Sequence, residues 1–239
     1  MAGSHAINST VQDANGTGTA AKERTVLVAL AGQPNVGKST LFNLLTGLDQ
    51  HVGNWPGKTV ERKEGTFTFN GTTYRLVDLP GTYSLTANSA EEVVAREFIV
   101  RERPDVVVAL VDAAILERSL YLVAELLSLP APVIVGLNMI DVAQQEGVQI
   151  ETEVLEAALG VPVVAMVATR NAGVRELVET VDRMANGQMP YAPRPPQVRA
   201  DHRQVMEEIA GLIAGYVPAP YPQEWVALKL LEGDRRSRG

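Results

Sequence analysis

Many hydrophobic residues in the first 186 positions form short, nearly unbroken runs. Between these runs, hydrophobic residues recur at the spacing of a helix. The runs are residues 25–30, 106–111, 133–137 and 163–167. Each is typical of a strand that is buried on both faces of a sheet. After the second run, the residues at helical spacing are Leu116, Leu120, Val123 and Leu127. This alternation predicts a doubly wound, mostly parallel α/β sheet over residues 25–186.

A hairpin is predicted within this region. Asn70-Gly71 lies between two strand-like segments, residues 64–69 and 72–77. Asn-Gly is a strong signal for a two-residue hairpin turn, because both residues adopt positive φ at little cost. We therefore expect these two strands to be antiparallel, with one of them at the edge of the sheet.

The pattern changes after residue 186. Residues 187–197 are rich in proline, which excludes a central strand or helix and predicts a stiff linker. In residues 198–239, helical spacing predicts two helices, the second from about residue 224 to 232, and hence a small all-α domain. Two helices make a small core, so we expect this domain to pack on another part of the protein or to be truncated.

The composition excludes several classes of protein. The chain has 239 residues and no cysteine, so it has no disulfide or thiolate site, and it fits a reducing cytosol. No apolar run approaches the roughly 18–20 residues of a membrane span, so we expect a soluble chain. The net charge of −7 argues against a protein that coats nucleic acid. Residues 1–24 are small and polar, which predicts a disordered tail without a signal peptide, its first residues resembling a cloning scar.

The first candidate motif directly follows the first predicted strand. It is Gly32-Gln33-Pro34-Asn35-Val36-Gly37-Lys38-Ser39, which fits the G-x-x-x-x-G-K-[ST] pattern at every fixed position, and a helical segment begins at Thr40. Glycines let backbone N–H groups turn around a phosphate, and the helix N-terminus adds positive charge. Lys38 would reach the outer phosphates and Ser39 would bind Mg²⁺. The alternative is a glycine-rich turn with a surface lysine, which the strand–loop–helix context disfavours.

Three further motifs each follow a predicted strand. In Asp78-Leu79-Pro80-Gly81, the carboxylate would hold Mg²⁺ and the Gly81 N–H would meet the γ-phosphate. In Asn138-Met139-Ile140-Asp141, the Asp141 carboxylate can accept both N1–H and N2–H₂ of guanine, a donor pair that adenine lacks. In Val167-Ala168-Thr169-Arg170, the Ala168 N–H could donate to guanine O6. Each motif alone is weak, but all four in this order predict GTP binding.

Residues 50–61 lie between the first helix and the hairpin. Two glycines and a proline predict a loop. Thr59 would bind Mg²⁺ when GTP is present, which makes this loop a candidate switch that orders around the γ-phosphate. The alternative is a simple connector with an exposed tryptophan, Trp55.

Two groups that assist hydrolysis in other GTPases are missing. Thr82 stands where Ras-like proteins carry the glutamine that orients the attacking water, and Arg62 starts a strand, a poor position for an arginine finger. We expect catalysis to depend on Mg²⁺, Lys38 and backbone donors, while the Asn35 side-chain carbonyl could hold a monovalent cation together with carbonyls of the switch loop. The alternative is that Asn35 only bonds within its own turn.

These motifs and their surroundings resemble FeoB-type bacterial ferrous iron transporters over residues 25–234. The most specific element is His51-Val52-Gly53-Asn54-Trp55-Pro56-Gly57, and the others are residues 32–39, 41–47, 59–61, 78–85, 138–141 and 225–234. The resemblance implies a P-loop GTPase domain of Ras-like fold with a helical domain, as the cytosolic part of an Fe²⁺ transporter. The chain departs from the family where the helical domain stops early, at Gly233-Asp234, and Val167 replaces a serine common in GTPases.

The resemblance further implies K⁺-stimulated hydrolysis, with Asn35 and the backbone carbonyls of Gly53 and Trp55 as K⁺ ligands, and weak nucleotide binding with fast GDP release. The expected catalytic residues are Asn35, Lys38, Thr59 and Gly81, and the Mg²⁺ ligands are Ser39, Thr59 and Asp78. The expected nucleotide contacts are Gly32, Gln33, Pro34, Asn35, Val36, Gly37, Lys38, Ser39, Thr40, Gly53, Asn54, Trp55, Pro56, Gly57, Thr59, Asp78, Leu79, Pro80, Gly81, Asn138, Met139, Asp141, Val167, Ala168 and Thr169.

The implied location is the cytoplasmic face of the bacterial inner membrane. The implied partners are the transporter's own membrane domain and small cytosolic proteins of the same iron-uptake system, with no nucleic acid and with homo-oligomerisation open. No dedicated iron site is expected, because His5, His51 and His202 do not cluster at ligand spacing. Two other functions stay open. One is an Era-like GTPase of RNA or ribosome maturation, which would need a basic or KH-type appendage that the sequence after residue 185 does not supply. The other is a nucleotide-dependent switch that only binds partners.

Overall fold

Seven strands form one sheet in the order β2-β3-β4-β1-β5-β6-β7 in the computed structural model, which describes residues 24–47, 49–86, 88–196 and 199–233. The strands are β1 (Thr25–Gly32), β2 (Gln50–Asn54), β3 (Glu61–Phe69), β4 (Thr72–Asp78), β5 (Val106–Asp112), β6 (Val133–Asn138) and β7 (Val163–Ala165). The helices are α1 (Lys38–Thr46), α2 (Ala90–Glu102), α3 (Leu116–Leu126), α4 (Ile140–Gln145), α5 (Thr152–Leu159), α6 (Val174–Ala185), α7 (Ala200–Ile213) and α8 (Gln223–Leu231). The expected tail, residues 1–24, lies outside the described residues except for Arg24.

Five of the strands, β1, β4, β5, β6 and β7, run parallel. β5 and β6 are buried along almost their whole length, because helices cover both faces of the sheet. One apolar cluster lies under α2 and α3, and the other lies under α1 and α6. The predicted doubly wound fold is confirmed, and the carboxyl ends of its parallel strands meet at one edge, where such folds bind ligands.

The predicted hairpin is present, but neither of its strands lies at the edge of the sheet. β3 and β4 are antiparallel around Asn70 and Gly71, which have φ of 49° and 75°. Outside β3 lies β2, which pairs with it antiparallel. The expectation of a loop at residues 50–54 was wrong. All five β2 residues are exposed, so this strand lacks the apolar alternation by which a half-buried strand is recognised.

Helix α2 was not predicted specifically, although the sequence carries a signal for its start. Ser89 accepts a hydrogen bond from the Glu92 N–H at 3.1 Å, and the Glu92 carboxylate accepts one from the Ser89 N–H at 3.2 Å. This reciprocal capping box has the S-x-x-E spacing that marks helix N-termini. The buried face of α2 carries Phe98, which contacts the segment after β2.

The C-terminal helices pack on the sheet domain through α8. Trp225 is buried in the cluster under α2 and α3, and the buried Lys229 forms an ion pair with Glu125 of α3. Burial lowers the pKa of Lys229, but Glu125 and Glu232 outweigh this effect, so the pKa lies above its ordinary value. The expectation that this region packs on another part of the protein agrees with these contacts.

Residues 187–196 contain neither helix nor strand, yet they are held against the sheet. The Val133 N–H donates to the Tyr191 hydroxyl at 3.1 Å, and the Arg194 N–H donates to the Leu159 carbonyl at 2.8 Å. The segment expected as a linker is thus fixed to the first residue of β6 and to the end of α5. Within the described ranges, no helix is both long and apolar enough to cross a lipid bilayer.

Candidate functional site

Two adjoining cavities lie at the carboxyl ends of the parallel strands. The β6 cavity, of about 440 Å³, is lined by Asn35, Gly37, Lys38, Ser39, Thr40, Asn138, Met139, Asp141, Val142, Val167, Ala168 and Thr169. The β4 cavity, of about 230 Å³, is lined by Lys38, Val60, Glu61, Lys63, Asp78, Leu79, Pro80 and Gly81. Lys38 lines both cavities. The structure therefore brings together residues from all four sequence motifs in one continuous region.

The loop between β1 and α1 has the shape of an anion-binding loop. Gly37 is the N-cap of α1, with φ of 91°, and a Cβ atom on it would lie 2.5 Å from Asn138 Nδ2. Only glycine satisfies both the conformation and the close approach. Because a glycine cap has no side chain to occupy the first N–H groups of α1, these groups can receive an anion, and the helix dipole favours it.

Asn138 connects this loop with the loop after β7. Its Nδ2 donates to the Val36 carbonyl at 2.9 Å, and its Oδ1 accepts from the Ala168 N–H at 2.9 Å. Asn138 is 3% exposed, so both bonds are made away from water. The Ala168 N–H, which the sequence assigned to guanine O6, therefore has Asn138 as its partner here. Its contact with a base would require exchange of this bond.

Asp141, at the start of α4, faces the same cavity. Met139 before it adopts the left-handed conformation with φ of 62°, which turns the chain from β6 into the helix. Arg170 lies across from Asp141, with its guanidinium NH2 nitrogen 3.3 Å from Oδ2. Arg170 belongs to the motif after β7, but the motif alone predicts no role for it, because only the folded loop shows this pairing.

Asp78 and Lys38 face each other at the β4 cavity, with Nζ 3.8 Å from Oδ1. Burial raises the pKa of Asp78, whereas Lys38 and Lys63 lower it, and the balance lies above the ordinary value. Within the described part of the chain, Oδ1 is a buried oxygen without a hydrogen-bond partner. An orphaned carboxylate oxygen beside an anion loop suits a hard cation such as Mg²⁺, with the Ser39 hydroxyl as a second oxygen ligand.

Lys63 is a lining residue that the sequence analysis missed. It lies directly opposite Asp78 in the β3–β4 pairing and forms an ion pair with Glu61 at 2.9 Å. Its pKa is raised, first by its hydrogen bond to Glu61. The sequence held a signal for it, because the predicted two-residue turn at Asn70-Gly71 fixes the hairpin register, and counting back from that turn places Lys63 opposite Asp78.

Three expected nucleotide contacts also hold the loops together. Gln33 is 2% exposed, and its Nε2 donates to the Arg118 carbonyl at 2.8 Å. The Gly32 carbonyl accepts from the Thr82 N–H at 3.2 Å. A Cβ atom on Gly81 would lie 3.2 Å from Pro34 Cα, so Gly81 allows the strand end to approach the phosphate loop. Thr82 itself is buried, with 4% exposure.

Most of the segment expected to act as a switch lies apart from both cavities, whereas Val60 and Glu61 at its end line the β4 cavity. None of the nucleotide contacts expected from this segment lines either cavity, and these are Gly53, Asn54, Trp55, Pro56, Gly57 and Thr59. Gly53 pairs with Arg62 in the β2–β3 ladder, and the Trp55 carbonyl accepts from the Lys58 N–H at 2.9 Å. Thr59 is exposed. The structure therefore does not place Thr59 at the Mg²⁺ site or assemble Gly53, Trp55 and Asn35 around a K⁺ ion.

Trp55 is not the exposed residue that the connector alternative requires. It is 8% exposed and meets Phe98 edge to face, with ring centroids 5.5 Å apart. The Arg62 guanidinium lies 4.7 Å from the centroid of the same ring. Apolar burial and these ring contacts anchor the segment to α2. Asn35, by contrast, lines the β6 cavity in the left-handed conformation, with φ of 66°.

Comparison with known proteins adds to this geometry. The family model described as "Ferrous iron transport protein B" matches residues 26–181. The Fe(2+) transporter FeoB of Escherichia coli K12 is 41% identical over 222 residues, which are 90% of this chain and 28% of that protein. The chain thus spans little more than a quarter of the length of this curated relative.

Solved structures also match. The cytosolic domain of the Thermotoga maritima FeoB iron transporter in a GDP form has a TM-score of 0.83 and 37% identity, covering 90% of this chain and 84% of that one. The same domain in a GMPPNP form has a TM-score of 0.81 and 38% identity, covering 89% and 83%.

Proposed function

Because the chain belongs to the ferrous iron transport protein B family, we propose that it binds GTP and hydrolyses it to GDP and phosphate. The observation that carries this proposal is the β6 cavity, where the phosphate loop and Asp141 line one space. An anion loop at one end and a carboxylate at the other match the phosphates and the base of a guanine nucleotide. The GDP and GMPPNP forms of the Thermotoga maritima relative support the same ligand.

Mg²⁺ is the proposed metal. Asp78 and Ser39 would hold it, as the orphaned Oδ1 of Asp78 indicates. The ion would supply charge neutralisation for the β- and γ-phosphates. Lys38 lies beside Asp78 and lines both cavities, so it would place its ammonium group on the same outer phosphates. The first N–H groups of α1 would bind the inner phosphates.

For hydrolysis, the chain's own contribution is the stabilisation of negative charge on the transferred phosphoryl group. Lys38 and the Gly81 N–H are the groups proposed to provide it from the rim of the β4 cavity. Thr82 is buried and its N–H bonds Gly32, so it does not orient the attacking water. Thr59 and the rest of its segment would have to leave their present contacts to reach the γ-phosphate.

K⁺ stimulation is an expectation that this arrangement does not fit. Of the three expected ligands, only Asn35 lines a cavity, while Gly53 and Trp55 are engaged in the β2–β3 region. We therefore assign no step of hydrolysis to K⁺. Turnover in KCl compared with NaCl, in the unaltered protein and in Asn35→Ala, tests the expectation, and equal rates in both salts would remove it.

The curated relatives are longer than this chain. In a full-length protein of this kind, we propose that this domain couples GTP hydrolysis to Fe²⁺ uptake at the cytoplasmic face of the inner membrane. Its proposed partner is the transporter's membrane domain, and small cytosolic proteins of the same uptake system and a second copy are further candidates. Fe²⁺ is the cargo in this proposal. Among the described residues, no group of three or more His, Cys, Asp or Glu side chains could hold a metal ion.

The deciding experiment is phosphate release from GTP and from ATP with Mg²⁺, using Lys38→Ala purified in parallel as the control for contaminating GTPases. We expect phosphate release from GTP but not from ATP, and we expect the Lys38→Ala variant to lose this turnover. GTP binding without turnover would favour a switch that only binds partners. The Era-like alternative predicts RNA binding that tightens with GTP, but no observation favours it over the family shown here.

A further inference from the structure

The ion pair between Arg170 and Asp141 occupies the carboxylate to which the proposed function assigns the guanine base. The guanidinium NH2 nitrogen is 3.3 Å from Asp141 Oδ2. The Arg170 side chain is 66% exposed and that of Asp141 is 22% exposed. The arginine thus approaches from the solvent side, from which a nucleotide would enter.

The two partners of Asp141 need the same oxygen atoms. Guanine offers N1–H and N2–H₂, a pair of parallel donors that would bond both carboxylate oxygens in their plane. Arginine offers a planar fork of N–H donors that binds carboxylates in the same way. Since a carboxylate has few in-plane lone pairs, a base seated on Asp141 displaces at least part of the contact with Arg170.

The loop that carries Arg170 is held in place by other bonds. Residues 168–170 form a 3₁₀ turn, in which the Arg170 N–H donates to the Val167 carbonyl at 3.0 Å. The Ala168 N–H bonds buried Asn138 at 2.9 Å. Val167 also bridges to Ala172. Because the backbone is fixed on both sides of Arg170, its guanidinium stays within reach of Asp141 and competes at a high effective concentration.

We propose that Arg170 is an affinity-determining residue that competes with the guanine base for Asp141. This inference rests on the proposed function, because it assumes that Asp141 reads the base. The competition concerns the base, which GDP and GTP share. It therefore lowers the affinity for both nucleotides by the same factor, without changing the preference between them.

The test is equilibrium binding of fluorescently labelled GDP and GMPPNP to the unaltered protein and to Arg170→Gln. We expect the variant to bind both nucleotides about two- to fivefold more tightly, the range of an exposed ion pair. The gain should shrink as KCl is raised, because salt screens an exposed pair. The matched control is Arg175→Gln, which removes the same charge from an exposed pair with Glu179 on α6 and should change neither affinity.

A second comparison separates competition from a change in overall charge. Asp141→Asn replaces the carboxylate by an amide, which suits xanthine in place of guanine because the amide N–H₂ can donate to the xanthine 2-oxygen. In this background the ion pair is absent, so adding Arg170→Gln should leave the affinity for xanthosine diphosphate unchanged. A gain of similar size in that background would refute competition for Asp141.

The sign of the effect is decisive. Weaker binding by Arg170→Gln would mean that Arg170 contacts the nucleotide, and unchanged binding would mean that the ion pair has no influence; either result overturns this inference alone. If the unaltered protein bound neither nucleotide, the proposed function would fall and this inference with it.

Discussion

The two halves of the candidate site differ in how far the protein alone assembles them. The phosphate loop and the loops after β6 and β7 are joined by buried Asn138, which bonds the Val36 carbonyl and the Ala168 N–H. The segment of residues 50–60 is instead held by β3 and by the packing of Trp55 on Phe98. The first half faces the cavities, whereas the second, apart from Val60 at its end, is engaged elsewhere.

This difference has an energetic meaning. Groups that would bind the inner phosphates are preorganised, and those for the base need only local exchange of the Arg170 and Asn138 contacts, so GDP and GTP can both use them without rearrangement of the fold. Groups of the segment of residues 50–60 that would meet only the γ-phosphate, such as Thr59, must first give up a strand pairing and a buried aromatic contact. A ligand shifts such an equilibrium only by its differential affinity for the two states. We therefore expect triphosphate-specific effects to be smaller than effects common to both nucleotides.

The largest effect is expected for Lys38→Ala. This lysine lines both cavities, and charge-assisted bonds to phosphate are strong. Affinity for GDP and for GMPPNP should fall by about 100-fold or more, as measured by fluorescence titration. Lys58→Ala removes the same charge from the other half and should change GDP affinity less than about twofold. Equal losses of GDP affinity in the two variants would show that the two halves of the site do not differ in this way.

Asn138→Ala should remove the link between the preorganised loops. It leaves the Ala168 N–H and the Val36 carbonyl without partners in a buried site, which should lower the free energy of unfolding by about 2–4 kcal/mol. Urea denaturation of the ligand-free protein measures this. A neutral effect of the alanine variant would show that the loops are positioned independently.

Thr59→Ala examines the half that is not assembled. Thr59 is exposed and lines neither cavity, so the variant should leave the stability of the protein and its GDP affinity unchanged. If the segment moves to the γ-phosphate, affinity for GMPPNP with Mg²⁺ should fall by about fivefold, which corresponds to the loss of one contact worth about 1 kcal/mol. An equal loss of GDP affinity would show that Thr59 serves both nucleotides and that the proposed rearrangement is wrong.

The same division limits what the sequence could predict. The parallel strands and the four motifs were recognisable because glycine conformation, buried strands and motif order constrain local structure strongly. The position of residues 50–60 was not, since Trp55 packs on Phe98, 43 residues further along the chain. Likewise, the facing of Arg170 with Asp141 depends on how two loops meet. Tertiary contacts of this kind leave no periodic pattern. The facing of Lys63 with Asp78 is different, because the predicted two-residue turn at Asn70-Gly71 sets the hairpin register and could have identified this pair.

The smallest expected effect is a slight gain in the stability of the ligand-free protein when Asp78 is replaced. Burial raises the pKa of Asp78 above its ordinary value despite Lys38 and Lys63. As the pH rises above that ordinary value, the unfolded chain loses its proton first, so the free energy of unfolding falls until Asp78 ionises in the folded protein too. Asp78→Asn should therefore raise the melting temperature at pH 7 by about 2 °C and leave it unchanged at pH 3. With Mg²⁺ and GDP in excess, the variant should have the lower melting temperature of the two proteins, because the amide is a poorer Mg²⁺ ligand. A variant less stable than the unaltered protein without ligand would mean that the Asp78–Lys38 pair holds the preorganised half together.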